Sequence, residues 1–150
     1  MTAELWVLNN GYVGDRVAST VALLRDGDTL AVVDPGMVAD RQQILAPMRE
    51  LGVDDQWVSR DAEGFALTDA IRLIRTPGHT AEDITTLVDT ADGLVALTHV
   101  WWHSGGPAHD PKATDSAALT ASRARVLALR PSLIVPGHGA AFVPDENTPR

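Results

Sequence analysis

The sequence predicts a single α/β domain over residues 1–150, in which layered strands are accompanied by two helices. Two pairs of apolar segments are joined by Asp-Gly turns, which is a strong signal for β-hairpins. Two segments with helical patterning alternate with the strands along the chain, which favours an α/β layered domain over a sandwich of strands alone. The 150 residues, 45% of them apolar, are enough to build one core and too few for two.

The first predicted element is a hairpin over residues 17–34. Apolar, largely β-branched runs at 17–24 and 29–33 flank the dipeptide Asp26-Gly27. The tripeptide Asp34-Pro35-Gly36 ends the second run, because Pro lacks an N–H for the ladder and Gly permits a sharp turn.

A helix is predicted over residues 40–51, with Asp40 as its N-cap. Its apolar face consists of Ile44, Leu45, Met48 and Leu51. The following stretch, 52–69, is polar and weakly patterned. We therefore predict a loop there, with a short strand near Trp57-Val58.

The second half of the chain is predicted to alternate between strands and one helix. The predicted strands lie at 70–75, 84–88, 94–97 and 132–135. Asp92-Gly93 forms the turn of the second hairpin. Thr114 or Asp115 caps a helix that runs to about Leu129, and Pro131 marks its end.

Composition and charge exclude several classes of function. The net charge of −8 arises from 20 acidic and 12 basic residues without runs, so we expect no general nucleic-acid surface. No apolar run approaches the ~20 residues of a membrane span, and no signal peptide is visible, so we expect a cytoplasmic protein. Cysteine is absent, which leaves His, Asp and Glu as possible metal ligands.

The tripeptide Pro-Gly-His occurs twice, each time directly after an apolar strand segment. The two copies are Pro77-Gly78-His79 and Pro136-Gly137-His138. In each copy a stiff backbone holds an imidazole just beyond the carboxyl end of a strand, where α/β folds place their sites. Neutral imidazole is the commonest transition-metal ligand, so the repeated pattern favours a functional role for both histidines.

A third histidine, His99, follows the strand segment 94–98 without a break. The three histidines after strands can therefore converge at one rim of a sheet: His79, His99 and His138. A site with three His ligands and an open position for water is an arrangement found in catalytic zinc sites. His103 and His109 lie in a loop rich in Gly and Pro and are weaker candidates.

Several further side chains have two interpretations from sequence. Glu82 and Asp83 follow the first Pro-Gly-His and are candidate catalytic residues, because either carboxylate could accept a hydrogen bond from a His N–H. Alternatively, the two residues cap the turn. Asp34 could be a ligand, although an Asp in such a place usually bonds to turn amides. Trp101 and Trp102 are interpreted as the wall of a pocket or as core.

The sequence resembles the metallo-β-lactamase fold hydrolases over nearly its whole length. The matching elements, in chain order, are the hairpin ending in Val32-Val33-Asp34-Pro35-Gly36, an amphipathic helix, the strand before Pro77-Gly78-His79-Thr80, a hairpin with an Asp-Gly turn, a second helix, and the strand before Pro136-Gly137-His138-Gly139. The resemblance implies an αββα sandwich with one or two metals at the sheet edge. It would make His79 a ligand of the first metal and His138 a ligand of the second.

The chain departs from the family pattern in two places. Thr98-His99 stands where the family usually has Gly-Asp, and the signature His-x-His-x-Asp-His is absent from the sequence. The resemblance therefore implies a member truncated by an internal deletion near residues 52–56. The deletion is either natural or an artefact of the gene model.

The resemblance implies a metal-dependent hydrolase with a reduced His-based metal site formed by His79, His99 and His138. We expect one Zn²⁺, with two ions, or Fe or Mn, as alternatives. The substrate is expected to be a small molecule: an ester, lactam, thioester or phosphodiester. The alternative is a catalytically inactive scaffold that acts through protein interaction or self-association as a homo-oligomer, since a sheet missing a segment exposes strand edges.

Overall fold

The computed structural model describes residues 2–36, 38, 40, 42–50 and 65–150. Its elements, in chain order, are β1 (Glu4–Asn9), β2 (Tyr12–Val13), β3 (Val17–Ala18), β4 (Val21–Asp26), β5 (Thr29–Val33), α1 (Gln42–Glu50), β6 (Phe65–Ala66), β7 (Ile71–Arg75), β8 (Ile84–Thr90), β9 (Gly93–Thr98), α2 (Ser116–Ala128) and β10 (Leu133–Pro136).

The strands form two main sheets. A three-stranded sheet has the order β1-β4-β5, a five-stranded sheet has the order β10-β9-β8-β7-β6, and β2 pairs with β3 in a small hairpin. Strand β8 is antiparallel to both β7 and β9, while β10 is parallel to β9. The strands β7, β9 and β10 therefore run in one direction, and their carboxyl ends lie at the same edge of the sheet.

Side-chain alternation along the strands gives each sheet two apolar faces, because successive residues point to opposite sides. Between the two sheets lies a core that includes Leu24 of β4, Ile71 of β7 and Val88 of β8. The outer face of the five-stranded sheet packs on α2, and the outer face of the three-stranded sheet packs on Ile44 and Met48 of α1. The layers are thus helix, sheet, sheet, helix.

The turns and caps predicted from sequence are present. Gly27 and Gly93, in the two Asp-Gly turns, have φ of +58° and +111°, values that favour glycine. The N–H of Gln42 donates to Asp40 Oδ1 at 2.9 Å. Asp115 caps α2 by accepting from the N–H groups of its first turn.

The strand boundaries differ from the prediction at the N-terminal end. The predicted run 17–24 is interrupted at Ser19-Thr20, because the backbone and hydroxyl of Thr20 bond to other loops. Strand β1 was not predicted, since its residues do not alternate cleanly between apolar and polar. Strand β6 lies in the predicted loop 52–69.

Two expectations lie outside the described residues: the short strand near Trp57-Val58 and the internal deletion near residues 52–56. Of the helices that the structure does describe, none has both the length and the apolar character to cross a membrane.

Candidate metal centre

The three histidines expected to act together lie side by side at one edge of the five-stranded sheet. His79 follows β7, His99 follows β9 and His138 follows β10, the three strands that point the same way. The ring centroids of His79 and His99 are 6.3 Å apart, and those of His99 and His138 are 5.2 Å apart. The strand directions bring together residues that are far apart in sequence.

His138 is held by the N-terminal part of the chain. Its Nδ1–H donates to the carbonyl of Ala18 at 3.0 Å. A carbonyl only accepts, so Nδ1 carries a proton, and in the neutral imidazole the lone pair is then on Nε2. The same loop is fastened by Thr20, whose N–H donates to the carbonyl of Gly137 at 2.6 Å and whose hydroxyl accepts from the N–H of Gly139 at 3.2 Å.

His79 is oriented by a carboxylate that sequence reasoning did not single out. Its Nδ1–H donates to Asp110 Oδ2 at 2.8 Å, and the Asp110 side chain is 1% exposed. The other carboxylate oxygen accepts from the N–H of Lys112 at 2.8 Å. A His that donates Nδ1–H to a carboxylate presents Nε2 in a fixed direction, the arrangement of metal-ligating histidines.

The turn that carries His79 packs directly on the start of α2. The carbonyl of Gly78 accepts from the N–H of Asp115 at 3.0 Å, and Ser122 Oγ donates to the carbonyl of Pro77 at 2.7 Å. Gly78 has φ of +143°, and a Cβ there would collide with the backbone of Leu119. Glycine is therefore required by both the backbone angle and the close approach of the helix.

Asp34 forms a pair with His99. In the part of the chain that the structure describes, its carboxylate accepts from the Nε2–H of His99 rather than from turn amides. Burial alone would lower the pKa of His99. The hydrogen bond and charge of Asp34, together with the charge of Asp83, outweigh burial and raise that pKa above its ordinary value of 6.5.

A chain of buried hydroxyl groups lies beneath the histidines. Thr76 Oγ1 and Thr85 Oγ1 are 2.9 Å apart, and Thr85 Oγ1 and Thr98 Oγ1 are 2.7 Å apart. Thr98 directly precedes His99, and Thr76 lies three residues before His79. The hydroxyls link the ends of three adjacent strands below the two imidazoles.

Glu82 and Asp83 have different surroundings. Both carboxylate oxygens of Asp83 bond to Thr80, one accepting from its N–H at 2.8 Å and the other from its hydroxyl at 2.6 Å. Asp83 thus caps the turn, and the acceptor for the His79 N–H is Asp110. Glu82 is exposed, and its carboxylate has no partner among the described residues.

The loop between β9 and α2 is held by a buried cation. The guanidinium of Arg123, 1% exposed, donates to the carbonyls of Val100 at 2.6 Å, Pro107 at 2.9 Å and Ala108 at 3.4 Å. Trp101, in the same loop, is fully buried and packs 5.8 Å from that guanidinium. Arg123 therefore fixes the loop that carries the carboxylate partner of His79.

The two weaker histidine candidates and Trp102 lie in the same loop. His103 and His109 are exposed, and Nδ1 of His103 accepts from the N–H of Gly105 at 3.1 Å. Trp102 instead packs edge-on against His79, with ring centroids 6.2 Å apart. Trp102 borders the histidines, whereas Trp101 belongs to the core.

The donor set fits a metal in its chemistry. In both His79 and His138 the Nδ1 atom is engaged in a hydrogen bond, which leaves Nε2 as the ligand atom of the neutral imidazole. His99, between them, is bonded to Asp34. As they stand, no three His, Asp or Glu side chains among the described residues are arranged as a complete ligand set. A metal therefore requires the His99–Asp34 hydrogen bond to be exchanged for a bond to the ion.

No family model and no curated protein matches this sequence. Solved structures do match its backbone. A Thermotoga maritima protein described as a putative metallo-β-lactamase superimposes with a TM-score of 0.73 at 19% identity, over 96% of this chain and 100% of that one. The chain has the metallo-β-lactamase fold.

Two further structures with this fold are similar. The protein TTHA1623, solved in a di-iron-bound form, matches with a TM-score of 0.66 at 16% identity, covering 88% of this chain and 92% of that chain. A quorum-quenching N-acyl homoserine lactone lactonase matches with a TM-score of 0.60 at 12% identity, covering 91% and 88%. The metallo-β-lactamase fold inferred from the order of motifs is thereby confirmed.

Proposed function

We propose that this chain is a metal-dependent hydrolase with a reduced site formed by His79, His99 and His138. The observation that supports this proposal best is that the three imidazoles lie together at one sheet edge of the metallo-β-lactamase fold. Neighbouring ring centroids are 6.3 and 5.2 Å apart. We propose one Zn²⁺ as the metal, with Fe or Mn, or a second ion, as alternatives.

The residues around the histidines have defined roles in this proposal. Asp110 and the carbonyl of Ala18 fix the tautomers of His79 and His138, so that each presents an Nε2 lone pair. Asp34 orients His99 through their hydrogen bond. Alternatively, Asp34 would itself be a carboxylate ligand once that hydrogen bond is replaced by a bond to the metal. The chemistry that such an ion supplies is activation of water as a nucleophile near neutral pH.

The substrate class is a small molecule with a bond that water can cleave: an ester, lactam, thioester or phosphodiester. The lactonase among the structural neighbours supports a carboxylic ester, and the di-iron form of another neighbour supports the use of a metal.

The test combines metal content with turnover. The purified protein is expected to contain close to one equivalent of metal by mass spectrometry and to hydrolyse p-nitrophenyl butyrate, with activity lost after chelation and restored by the metal. His79→Ala, His99→Ala and His138→Ala should each reduce both metal content and turnover. His109→Ala is the matched control, since His109 is an exposed histidine of the adjacent loop.

Less than about 0.1 equivalent of metal, even after incubation with Zn²⁺, would contradict the proposal, because a binding site must hold its ion at stoichiometric levels. Light scattering on the same sample then examines the alternative function. A metal-free protein that forms a defined oligomer would support a non-catalytic scaffold, and a monomer that binds metal would exclude it.

A further inference from the structure

The histidine edge of the five-stranded sheet is built from two pairs of strands. In the first pair, the ladder of β7 and β8 continues as far as Arg75 and Ile84. Just beyond it, the N–H of Thr76 donates to the carbonyl of Asp83 at 2.9 Å. Backbone hydrogen bonds therefore fasten β7 to β8 up to the turn that carries His79.

The second pair consists of β9 and β10. Their ladder extends to Thr98 and Pro136, and the N–H of Gly137 then donates to the carbonyl of Thr98 at 2.9 Å. His99 and His138 follow these two strands and have the shorter ring separation, 5.2 Å. Their spacing is therefore set by backbone hydrogen bonds close to both histidines.

Between the two pairs, the backbone ladder ends earlier. The last residues that pair between β8 and β9 are Thr86 and Leu97, so Thr85 and Thr98 lie beyond the ladder. There the hydroxyl groups make the contact instead, with the two Oγ1 atoms 2.7 Å apart. The Oγ1 of Thr85 is also 2.9 Å from that of Thr76. Thr85 thus connects the end of β7 with the end of β9.

The three hydroxyl groups of this chain are shielded from water. Thr76 and Thr85 are 0% exposed, and Thr98 is 3% exposed. A hydroxyl can accept one hydrogen bond while it donates another, so Thr85 satisfies both of its neighbours at once. Because a buried polar group that loses its partner is costly, the chain resists any movement that would separate its members.

The hydroxyl chain lies on the opposite face of the sheet from His99. Ala96 belongs to the core against α2, and Thr98 is two residues further along β9, so its side chain is on that face. His99 instead contacts Asp34, which follows β5 of the other sheet. The chain therefore acts on His99 through the backbone of β9 and leaves the space in front of the imidazoles free.

We propose that Thr85 is a positioning residue, whose hydroxyl ties the strand pair that carries His79 to the strand pair that carries His99 and His138. This inference rests on the proposed function, because it concerns how three ligands are kept at the spacing that one ion needs. Without the hydroxyl, the separation of His79 from His99, 6.3 Å between ring centroids, loses this support. The separation of His99 from His138 keeps its backbone bonds. A ligand set that is held less precisely binds its ion more weakly.

The Zn²⁺ affinity of the whole chain is measured first, by competition with a chromogenic chelator. Thr85→Val keeps the shape of the side chain and removes its hydroxyl. We expect it to weaken Zn²⁺ binding by about tenfold, the lower end of the usual loss when a residue that supports a metal ligand is replaced. Thr85→Ser keeps the hydroxyl and should restore the wild-type affinity. Thr76→Val removes only the terminal contact of the chain, should weaken binding less, and takes the place of Thr85→Val if that variant does not fold.

Thr68→Val is the matched control. Thr68 Oγ1 accepts from the N–H groups of Ala70 at 3.2 Å and Ile71 at 3.1 Å, at the opposite end of β7 from His79. Its replacement should lower the urea midpoint of unfolding without changing the Zn²⁺ affinity. Equal losses of affinity in Thr68→Val and Thr85→Val would overturn the inference. A loss in Thr85→Ser as large as that in Thr85→Val would do the same.

A second measurement needs no metal. In chelated protein, the Cε1–H resonances of His79, His99 and His138 are assigned by their loss in the three His→Ala variants. Thr85→Val should shift the resonances of His79 and His99 and leave that of His138 in place, and Thr68→Val should shift none of them. If the wild-type protein binds no Zn²⁺, the proposed function fails and these resonances alone decide the inference. Unchanged resonances of His79 and His99 in Thr85→Val would then overturn it.

Discussion

The imidazole of His99 lies directly against Gly137, in the space that the Cβ of any larger residue would fill. The two glycines of the repeated Pro-Gly-His motif are thus required for different reasons. Gly78 permits α2 to approach the turn, whereas Gly137 leaves room for a histidine from the neighbouring strand end. The repeated motif carries His79 and His138, and through Gly137 it also makes room for His99.

Gly137→Ala is expected to displace His99 and to disturb the proposed metal site. Overpacking of this kind typically costs about 1–3 kcal/mol, and we expect the free energy of unfolding in urea to fall by that amount. Metal content should fall in the same variant. Gly14→Ala is the control, because a Cβ at Gly14 meets no atom within 4 Å. Equal behaviour of the two variants would show that the contact with His99 has no energetic importance.

Asp110→Asn should weaken metal binding by His79, because the substitution removes the charged acceptor of the His79 Nδ1–H. Loss of such a partner typically costs about 10–100-fold in metal affinity. A competition titration with a chromogenic chelator measures the change. Asp92→Asn removes the same charge at an exposed hairpin turn and should have no effect. An unchanged affinity in Asp110→Asn would argue that His79 binds no metal.

The pair of His99 and Asp34 makes the stability of the metal-free protein depend on pH. The folded pKa of His99 is raised above 6.5, so its contribution is fully present below pH 6.5 and is lost as pH rises through the raised pKa. Urea unfolding of chelated protein between pH 5.5 and 8 should show this decline. Asp34→Asn should flatten it, and Asn tolerates the φ of +62° found at Asp34. A decline of equal size in both proteins would assign it to another group.

Arg123→Met should destabilise the loop between β9 and α2. The variant keeps much of the apolar volume but leaves the carbonyls of Val100 and Pro107 without their buried donor. We expect a loss of about 2–4 kcal/mol in the free energy of unfolding, since each buried unsatisfied group costs about 1–3 kcal/mol. Arg16→Met, at an exposed arginine, should change stability little. A comparable small change in Arg123→Met would contradict this role.

The sequence predicted the elements whose signals are local. Asp-Gly turns, the caps Asp40 and Asp115, and histidines directly after strands can each be recognised within a few residues. The relative direction of the strands then follows from hairpins and one parallel crossover, which explains why three histidines reach the same edge.

The partners of these histidines could not be predicted, because they come from distant parts of the chain. Asp110 is 31 residues from His79, and Asp34 is 65 residues from His99. The hydroxyl chain through Thr85 is equally non-local. Strand β1 could not be predicted, because it is stabilised by its pairing with β4 and its sequence does not alternate regularly between apolar and polar residues.

The bonds from Ala18 and Thr20 to the loop of His138 have a consequence for how the protein is made. They join residues about 120 positions apart, and contacts of such high order form late, after most of the chain has collapsed. A nascent chain cannot complete the histidine edge until residue 139 has left the ribosome. Until then His138 lacks the carbonyl of Ala18 that holds its imidazole in place, so His79, His99 and His138 come together only after both Pro-Gly-His turns have been synthesised.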